Sequence, residues 1–571
     1  MSDSRNMILA VVLSALVLLG WSFVADKFFP TPKPPVVSKV DKEAARRLPQ
    51  PGASPAPQTA SAIRSRSVVL AETPRVRIQT RSLQGSINLT GARIDDLVLL
   101  RERQSIDKNS APVRLLSPAG APGAYFADFG WTGEGVQAPG PDTPWTANAN
   151  VLTPDQPVTL SWSNISGQRF EQVISVDQDY LFTVKQRVVN SGTGAVAVRP
   201  YGLVSRAQKS ADPDGWTMHV GPMGYLNGAA NYEVNWADLD DAGASGKQFD
   251  SRGGWLGFTD KYWLTALAPA QDSAIAASFR KGPGGYQADF ATQPIIVAPG
   301  QAITTSTHFF AGAKEKKLLD AYEDAGIPKL SKSIDWGWFE WFMRPIFDLL
   351  NWLFGHIGNF GVAIICLTLI VRLLMYPIAD KQFKSMAAMR KVQPKMKALQ
   401  ERYKSDKQKM QQEILKLYQQ EKINPAAGCL PILLQIPVFY ALYKVLLVSV
   451  EMRHQPFALW ITDLSAPDHL TPINLFGLLD FTPPGFLLIG VLPILLGITM
   501  WLQFKLNPQQ LDPTQQQIFA IMPWFMMVLM APFASGLQLY WVTSNILTIL
   551  QQWWLYKRYG LHFADTHPVK T

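Results

Sequence analysis

Cysteine is almost absent from this chain. Its two copies, Cys366 and Cys429, both lie in apolar segments, which indicates no disulfide framework and leaves the redox compartment open. Histidine is nearly as scarce, seven in 571 residues, and only His219 and His308 fall in the long middle region, neither at a metal-ligand spacing. There is no G-x-S-x-G elbow, no H-E-x-x-H pair and no phosphate-cradling loop; GASGK at Gly243 to Lys247 lacks the required spacing and follows no convincing strand. The acids Asp212, Asp214, Asp238, Asp240 and Asp241 sit in Gly/Pro-rich stretches, where carboxylates usually serve as solvated caps and turns. Nothing here points to an enzyme, a metal or another cofactor.

What the chain does have is apolar sequence, unevenly placed. It is 47% hydrophobic with 18 Trp and 16 Met, a heavy load for a soluble protein. The apolar residues concentrate at Asn6 to Ala25 and again beyond Ile334. Asn6 to Ala25 is twenty residues without a charge, enough for a bilayer core of about 30 Å. A cleaved signal peptide is the rival reading, but Trp21 and Phe23 occupy the end where small residues belong, so residues 1–25 read as an uncleaved anchor. Residues 26–64 turn to Pro, Ala and Ser, an extended linker. From 65 to 332 the texture is all-β: RVRIQT at Arg75 to Thr80, SINLT at Ser86 to Thr90 and TLSWS at Thr159 to Ser163 alternate with period two between turn clusters. A sandwich is expected. Exposed aromatics such as Trp216, Tyr225 and Trp236 would suit carbohydrate, although aromatics in a sandwich more often form core.

Residues 333–355 pack Trp and Phe around few charges, as in an amphipathic helix lying on a membrane. The next apolar run, Phe360 to Pro377, contains Arg372. An arginine at the centre of a spanning helix costs about 2.5 to 3.5 kcal/mol and normally faces a wet cavity or a partner. Arg372 is also only four residues from Tyr376, roughly 6 Å, within reach of an interface by snorkelling, so both readings stand at this point. Residues 380–422 carry twelve Lys and Arg against five acids, a net of +7 and the mark of a cytoplasmic loop. Two helices, Lys381 to Tyr403 and Lys407 to Glu421, are expected there as a hairpin; its lysines form a solvated face or meet RNA or acidic headgroups. Pro425 to Val450 reads as the third span, with Gln435, Phe439 and Tyr443 on one face and Lys444 snorkelling outward. The acidic loop Glu451 to Phe481 belongs outside. Three further spans follow, near Gly485 to Phe504, Gln516 to Ala531 and Gly536 to Tyr556, with Pro493, Pro523 and Pro532 expected to break or bend them. The fifth span offers a soft methionine surface (Met522, Met526, Met527, Met530), and the last a polar stripe at Tyr540, Thr543, Ser544, Thr548 and Gln551, with Asn545 beside it. Six spans put both termini inside and the β-region outside.

Several stretches are specific enough to resemble a known family: IVRLLMYP at Ile370 to Pro377, MAAMRKVQPKMKALQERY at Met386 to Tyr403, NPAAGCLPILLQIPVFYALY at Asn424 to Tyr443, PFALWITDLSAPD at Pro456 to Asp468, and ASGLQLYWVTSNILTILQQ at Ala534 to Gln552. They resemble the YidC/Oxa/Alb family of membrane protein insertases over about Trp336 to Arg558, and the anchor with its large outer domain is similar to the Gram-negative form. The resemblance implies a polytopic α-helical membrane protein of the bacterial inner membrane with six transmembrane helices. Its five-helix insertase core (356–558) would hold a hydrophilic groove open to cytoplasm and lipid, and its all-β periplasmic domain (65–332) would be a supersandwich similar to mutarotase-like folds. Arg372 matches the groove arginine, and Thr368, Gln435, Phe439, Tyr540, Ser544 and Asn545 match positions that line the groove or contact substrate. Trp541 stands where the family often has a second aromatic, and Lys444 departs from the expected apolar or aromatic residue. The tail, 559–571, is short and lacks the ribosome-binding extension of mitochondrial members. Implied partners are nascent membrane proteins, the Sec translocon (SecYEG, SecDF), the ribosome and signal recognition particle pathway, and membrane lipids; no enzymatic step and no cofactor are implied. A solute transporter would also keep an intramembrane arginine but usually shows internal repeats, which are not seen here. A membrane-anchored carbohydrate enzyme would place its chemistry in the β-region.

Overall fold

The period-two runs become strands whose alternate residues face inward, as in Arg75–Gln79, where Val76 and Ile78 are buried and Arg77 and Gln79 exposed. The computed structural model describes residues 63–558 apart from 108, 213–216, 338, 404–405, 422–429, 477, 480, 482–487 and 507–512. The expected anchor, most of the linker, the tail, Trp216 and Cys429 lie outside the described residues. The chain divides into two compact units that part between Asp335 and Trp336.

The first unit pairs an 11-stranded sheet with a 9-stranded one. In the larger sheet, Val196–Arg206 lies antiparallel between Tyr125–Glu134 and Gly285–Thr292. In the smaller, Leu181–Asn190 lies between Gln168–Val176 and Ala302–Ala313. The sheets close on each other through aromatic contacts such as Phe129 with Phe309, ring centroids 6.0 Å apart. Buried amides add polar ties: Gln186 Nε2 donates to the Gly130 carbonyl at 2.7 Å, and Gln172 Nε2 to that of Phe129. Each such donor would be costly to bury unpaired. Of three short helices, α1 (Arg66–Ala71) precedes the first strand, α2 (Trp236–Ala242) interrupts the series and α3 (Lys316–Asp324) follows the last strand. Helix α2 begins in a capping box between Asn235 and Asp238.

The second unit is helical: α4 (Glu340–Ile357), α5 (Phe360–Leu374), α6 (Tyr376–Arg402), α7 (Lys407–Gln420), α8 (Leu430–Val448), α9 (Val491–Leu506), α10 (Pro513–Met530) and α11 (Ser535–Arg558). Helix α4 is amphipathic, with Met343, Phe347, Leu350 and Leu353 buried and Trp341 and Trp352 exposed. It ends at Gly358, whose left-handed φ of 75° lets its N–H reach the Phe354 carbonyl, and Asn359 then caps α5 through its side chain. Pro377 lies in the first turn of α6, where its missing N–H removes no helical bond, so it opens a helix rather than closing one. Pro493 occupies the first turn of α9 in the same way, Pro532 lies in the turn between α10 and α11, and Pro523 alone of the three sits inside a helix, α10.

Helices α6 and α7 form the expected hairpin around Val392, Met396 and Leu417, with Leu399, Ile414 and Tyr418 packed against them. Its lysines partly pair on the surface, Lys395 with Glu421 at 2.7 Å and Lys416 with Glu413 at 2.8 Å. Helices α5, α8, α9, α10 and α11 occupy the places of five of the six expected spans. Among the described residues no helix is long and apolar enough to cross a membrane. The reasons are local. At 15 and 16 residues α5 and α9 reach only about 22 to 24 Å; α10 opens Pro-Thr followed by three glutamines, and α11 spends much of its length on Gln, Ser, Thr and Asn.

The segment between α8 and α9 closes over the ends of three helices. Phe457 accepts from Asn359 Nδ2 at 2.9 Å, and its ring covers Gly361 at the start of α5. The Ser535 and Gly536 N–H groups donate to the Ala466 and Leu464 carbonyls at 2.7 and 2.9 Å. Asp468 accepts from the Leu492 N–H at 2.7 Å in the first turn of α9. Two expectations are corrected in this unit. Lys444 does not snorkel outward; it is 1% exposed, enclosed along with its neighbours Leu442, Val445 and Leu446. The methionines of α10 are not its outer surface either: Met530 is buried and Met527 abuts Gly497 of α9, while Ile518, Ile521, Trp524, Phe525, Val528 and Leu529 are exposed.

Candidate functional site

A polar seam joins α5, α8 and α11. Arg372 stands in the last turn of α5, where the helix dipole favours a cation. Its Nη2 donates to the Ser544 hydroxyl and, at 3.2 Å, to the Ser544 main-chain carbonyl. One turn earlier on α11, Tyr540 accepts from Gln435 Nε2 of α8 at 2.6 Å. Phe439, one turn along α8 from Gln435, packs on Trp541 with centroids 4.7 Å apart. Tyr540 and Ser544 are buried, Arg372 half-buried. Among the described residues no carboxylate pairs with Arg372; the guanidinium is met by neutral oxygens only.

Six of the eight expected residues therefore come together: Arg372, Gln435, Phe439, Tyr540, Trp541 and Ser544. The other two are bonded elsewhere. Thr368 is buried and its hydroxyl donates to the Ile364 carbonyl at 2.6 Å, one turn back on its own helix. Asn545 turns to a different neighbour, donating through Nδ2 to Thr499 Oγ1 of α9 at 3.1 Å. Thr499 was not singled out in the sequence, and its polarity within an apolar run was the one available signal. At the end of α11, Arg558 donates to the Tyr376 hydroxyl at 3.1 Å, and Tyr376 contacts Trp554. No spacing rule links those residues, 182 positions apart.

Among its described residues the β-unit offers no comparable site. Trp236 is buried and stacks on Phe258 at 5.5 Å, and the Arg206 guanidinium lies against the Tyr125, Trp236 and Phe258 rings while pairing with Asp260 at 3.1 Å. These aromatics are core. The acids act as caps and ties: Asp212 accepts from the Lys261 N–H, and Asp240, which lies within α2 and not in a loop, accepts from Lys209, Lys281 and Tyr286, which hold its carboxyl well below the usual range. Among the described residues no group of His, Cys, Asp and Glu is arranged to hold a metal ion.

Residues 352–561 match the family described as 60Kd inner membrane protein, and residues 75–349 match the YidC periplasmic domain. A relative from Zymomonas mobilis named Membrane protein insertase YidC is 50% identical over 562 residues, covering 98% of this chain and 96% of the relative. The chain belongs to the YidC family of membrane protein insertases. A Methylobacterium nodulans relative of the same name is 43% identical over 602 residues, covering 100% and 99% of the two chains. A solved structure of an active YidC insertase covers 96% of this chain and 100% of that one at 18% identity, with a TM-score of 0.38, too low to carry weight. Membership sets aside the transporter and carbohydrate-enzyme readings: the family is one of inner-membrane insertases bearing a periplasmic domain.

Proposed function

We propose that the chain inserts nascent proteins into the bacterial inner membrane through the seam between α5, α8 and α11. In this reading six helices span the bilayer, the first at Asn6 to Ala25. Both termini and the α6–α7 hairpin are cytoplasmic, and the β-unit is periplasmic. The observation that carries the proposal is Arg372, a half-buried cation whose partners among the described residues are neutral. A charge so placed holds water around it and attracts acidic or polar segments of an incoming chain. The polar stretch then crosses only part of the hydrocarbon, while the apolar segment leaves along the exposed aliphatic face of α10 into lipid. The segment covering Gly361 supports closure on the periplasmic side. No covalent step and no nucleotide are required. The Sec translocon, the ribosome and the signal recognition particle pathway fit as upstream partners, the basic hairpin being the surface such partners would meet.

Insertion of a Sec-independent substrate into vesicles tests this. Arg372→Ala is expected to lose insertion and Arg372→Lys to restore part of it; full insertion by both variants overturns the role of this site. Crosslinkers at Arg372 and Tyr540 should capture a nascent chain in transit.

A further inference from the structure

Between α8 and α9 the described residues from Thr471 to Phe481, which leave out 477 and 480, form an apolar knob. Ile473, Leu475, Phe476, Leu478, Leu479 and Phe481 all expose their side chains, Leu478 to 84%. Exposed apolar residues are ordinary singly, but six within nine positions form a patch that calls for a covering. Leu475 and Phe476 hold left-handed backbone, φ 51° and 59°, uncommon for large side chains and sustained only by their surroundings. The backbone is satisfied from within: the N–H groups of Leu475, Phe476, Leu478, Leu479 and Phe481 donate to Pro472, Thr471, Leu475, Asn474 and Leu479 carbonyls at 2.9 to 3.3 Å. A loop meant for water has no need of such internal pairing, whereas one entering hydrocarbon does.

We propose that this knob is seated in the lipid of the periplasmic leaflet, an apolar anchor beside α9. Three observations favour lipid over a protein partner. No Lys or Arg occurs from residue 454 to residue 504, and the sequence of residues 471–481 carries one ionisable side chain, Asp480, so the patch offers little charge to a charged partner. Exposed apolar side chains recur on α9 at Leu495, Ile498 and Leu502. The base is fixed to that helix, the Val491 N–H donating to Leu470 at 2.9 Å and the Leu492 N–H to Asp468. The inference rests on the spanning arrangement proposed above.

The test uses the full chain with Cys366→Ser and Cys429→Ser, carrying Leu478→Cys labelled with an environment-sensitive fluorophore. A second variant carries the label at Leu529→Cys on the exposed face of α10. Both are reconstituted into phosphatidylethanolamine–phosphatidylglycerol vesicles containing brominated lipids. The expected result is blue-shifted emission at Leu478→Cys with loss of about half its intensity to bromines near the headgroup and less to deep ones, the depth of interfacial apolar segments. Water-like emission at Leu478→Cys with quenching at Leu529→Cys overturns the knob alone. Blue-shifted emission that bromolipid leaves unquenched means a protein or a second copy covers it, and also overturns the proposal. Loss of quenching at both positions removes the spanning arrangement, and the knob with it.

Discussion

Arg372 is bonded twice to Ser544, once through its hydroxyl and once through its main-chain carbonyl. The second bond does not depend on the side chain of Ser544, so the last turn of α5 stays tied to α11 whatever residue stands at 544. The carbonyl is shared, since Thr548 Oγ1 also donates to it at 2.7 Å.

Ser544→Ala should therefore be milder than Arg372→Ala. The loss of one hydrogen bond to a charged group is worth about 1.5 to 3 kcal/mol. Thermal unfolding in detergent should fall by a few degrees while vesicle insertion is reduced but measurable; insertion as low as in Arg372→Ala would show that the hydroxyl alone positions the cation.

Gln435 and Tyr540 should behave as a unit. Tyr540→Phe leaves the Gln435 amide without its partner, at a cost of about 1 to 3 kcal/mol. In a double-mutant cycle, Gln435→Leu should recover part of the stability lost in Tyr540→Phe, because the orphaned donor is then gone. Strict additivity of the two melting shifts would contradict the bond.

Gly361→Ala should destabilise the helical unit. A methyl group there meets the ring and Cβ of Phe457, and overpacking of this kind costs about 1 to 3 kcal/mol. Phe457→Ala in the same chain should relieve most of the effect; an unchanged melting temperature for Gly361→Ala alone would mean the covering segment yields freely.

The β-unit should weaken in acid through Asp179. Burial pushes its carboxyl up, but hydrogen bonds from Arg81 and Ser82 and the charge of Arg101 prevail, and the net shift is downward. A depressed carboxylate contributes stability above its unfolded value of about 3.9 and loses it as pH falls through the folded value. Asp179→Asn should thus melt lower than the native chain at pH 7 and show a flatter decline below about pH 4. Parallel melting profiles from pH 7 to pH 3 would assign the acid sensitivity to other groups.

Local pattern carried far in this chain, and long-range pairing did not. The spacing of Ile414, Leu417 and Tyr418 matches the inner face of α7, because a helix repeats its faces every three or four residues. Period two likewise located Val76, Ile78 and Leu160 in the sandwich core. The polar stripe of α11 was visible as a stripe, yet its residues divide between two neighbours: Ser544 and Tyr540 turn to α5 and α8, Asn545 to α9. Two adjacent residues on a helix point about 100° apart, and no spacing within one helix tells which neighbour each will meet. Lys444 misled for a related reason. Snorkelling assumes open water at the helix end, and here the segment from Ser449 to Thr471 folds back over the ends of neighbouring helices. Thr368 fits the family position, but its hydroxyl satisfies its own backbone.

Tyr376 is the first residue of α6, and Arg558, the last of α11, is bonded to its phenol. Helix α6 runs 27 residues, about 40 Å, from that point. The base of the hairpin is thus bonded to the same helix that carries Ser544 and Tyr540, the residues that meet Arg372 and Gln435.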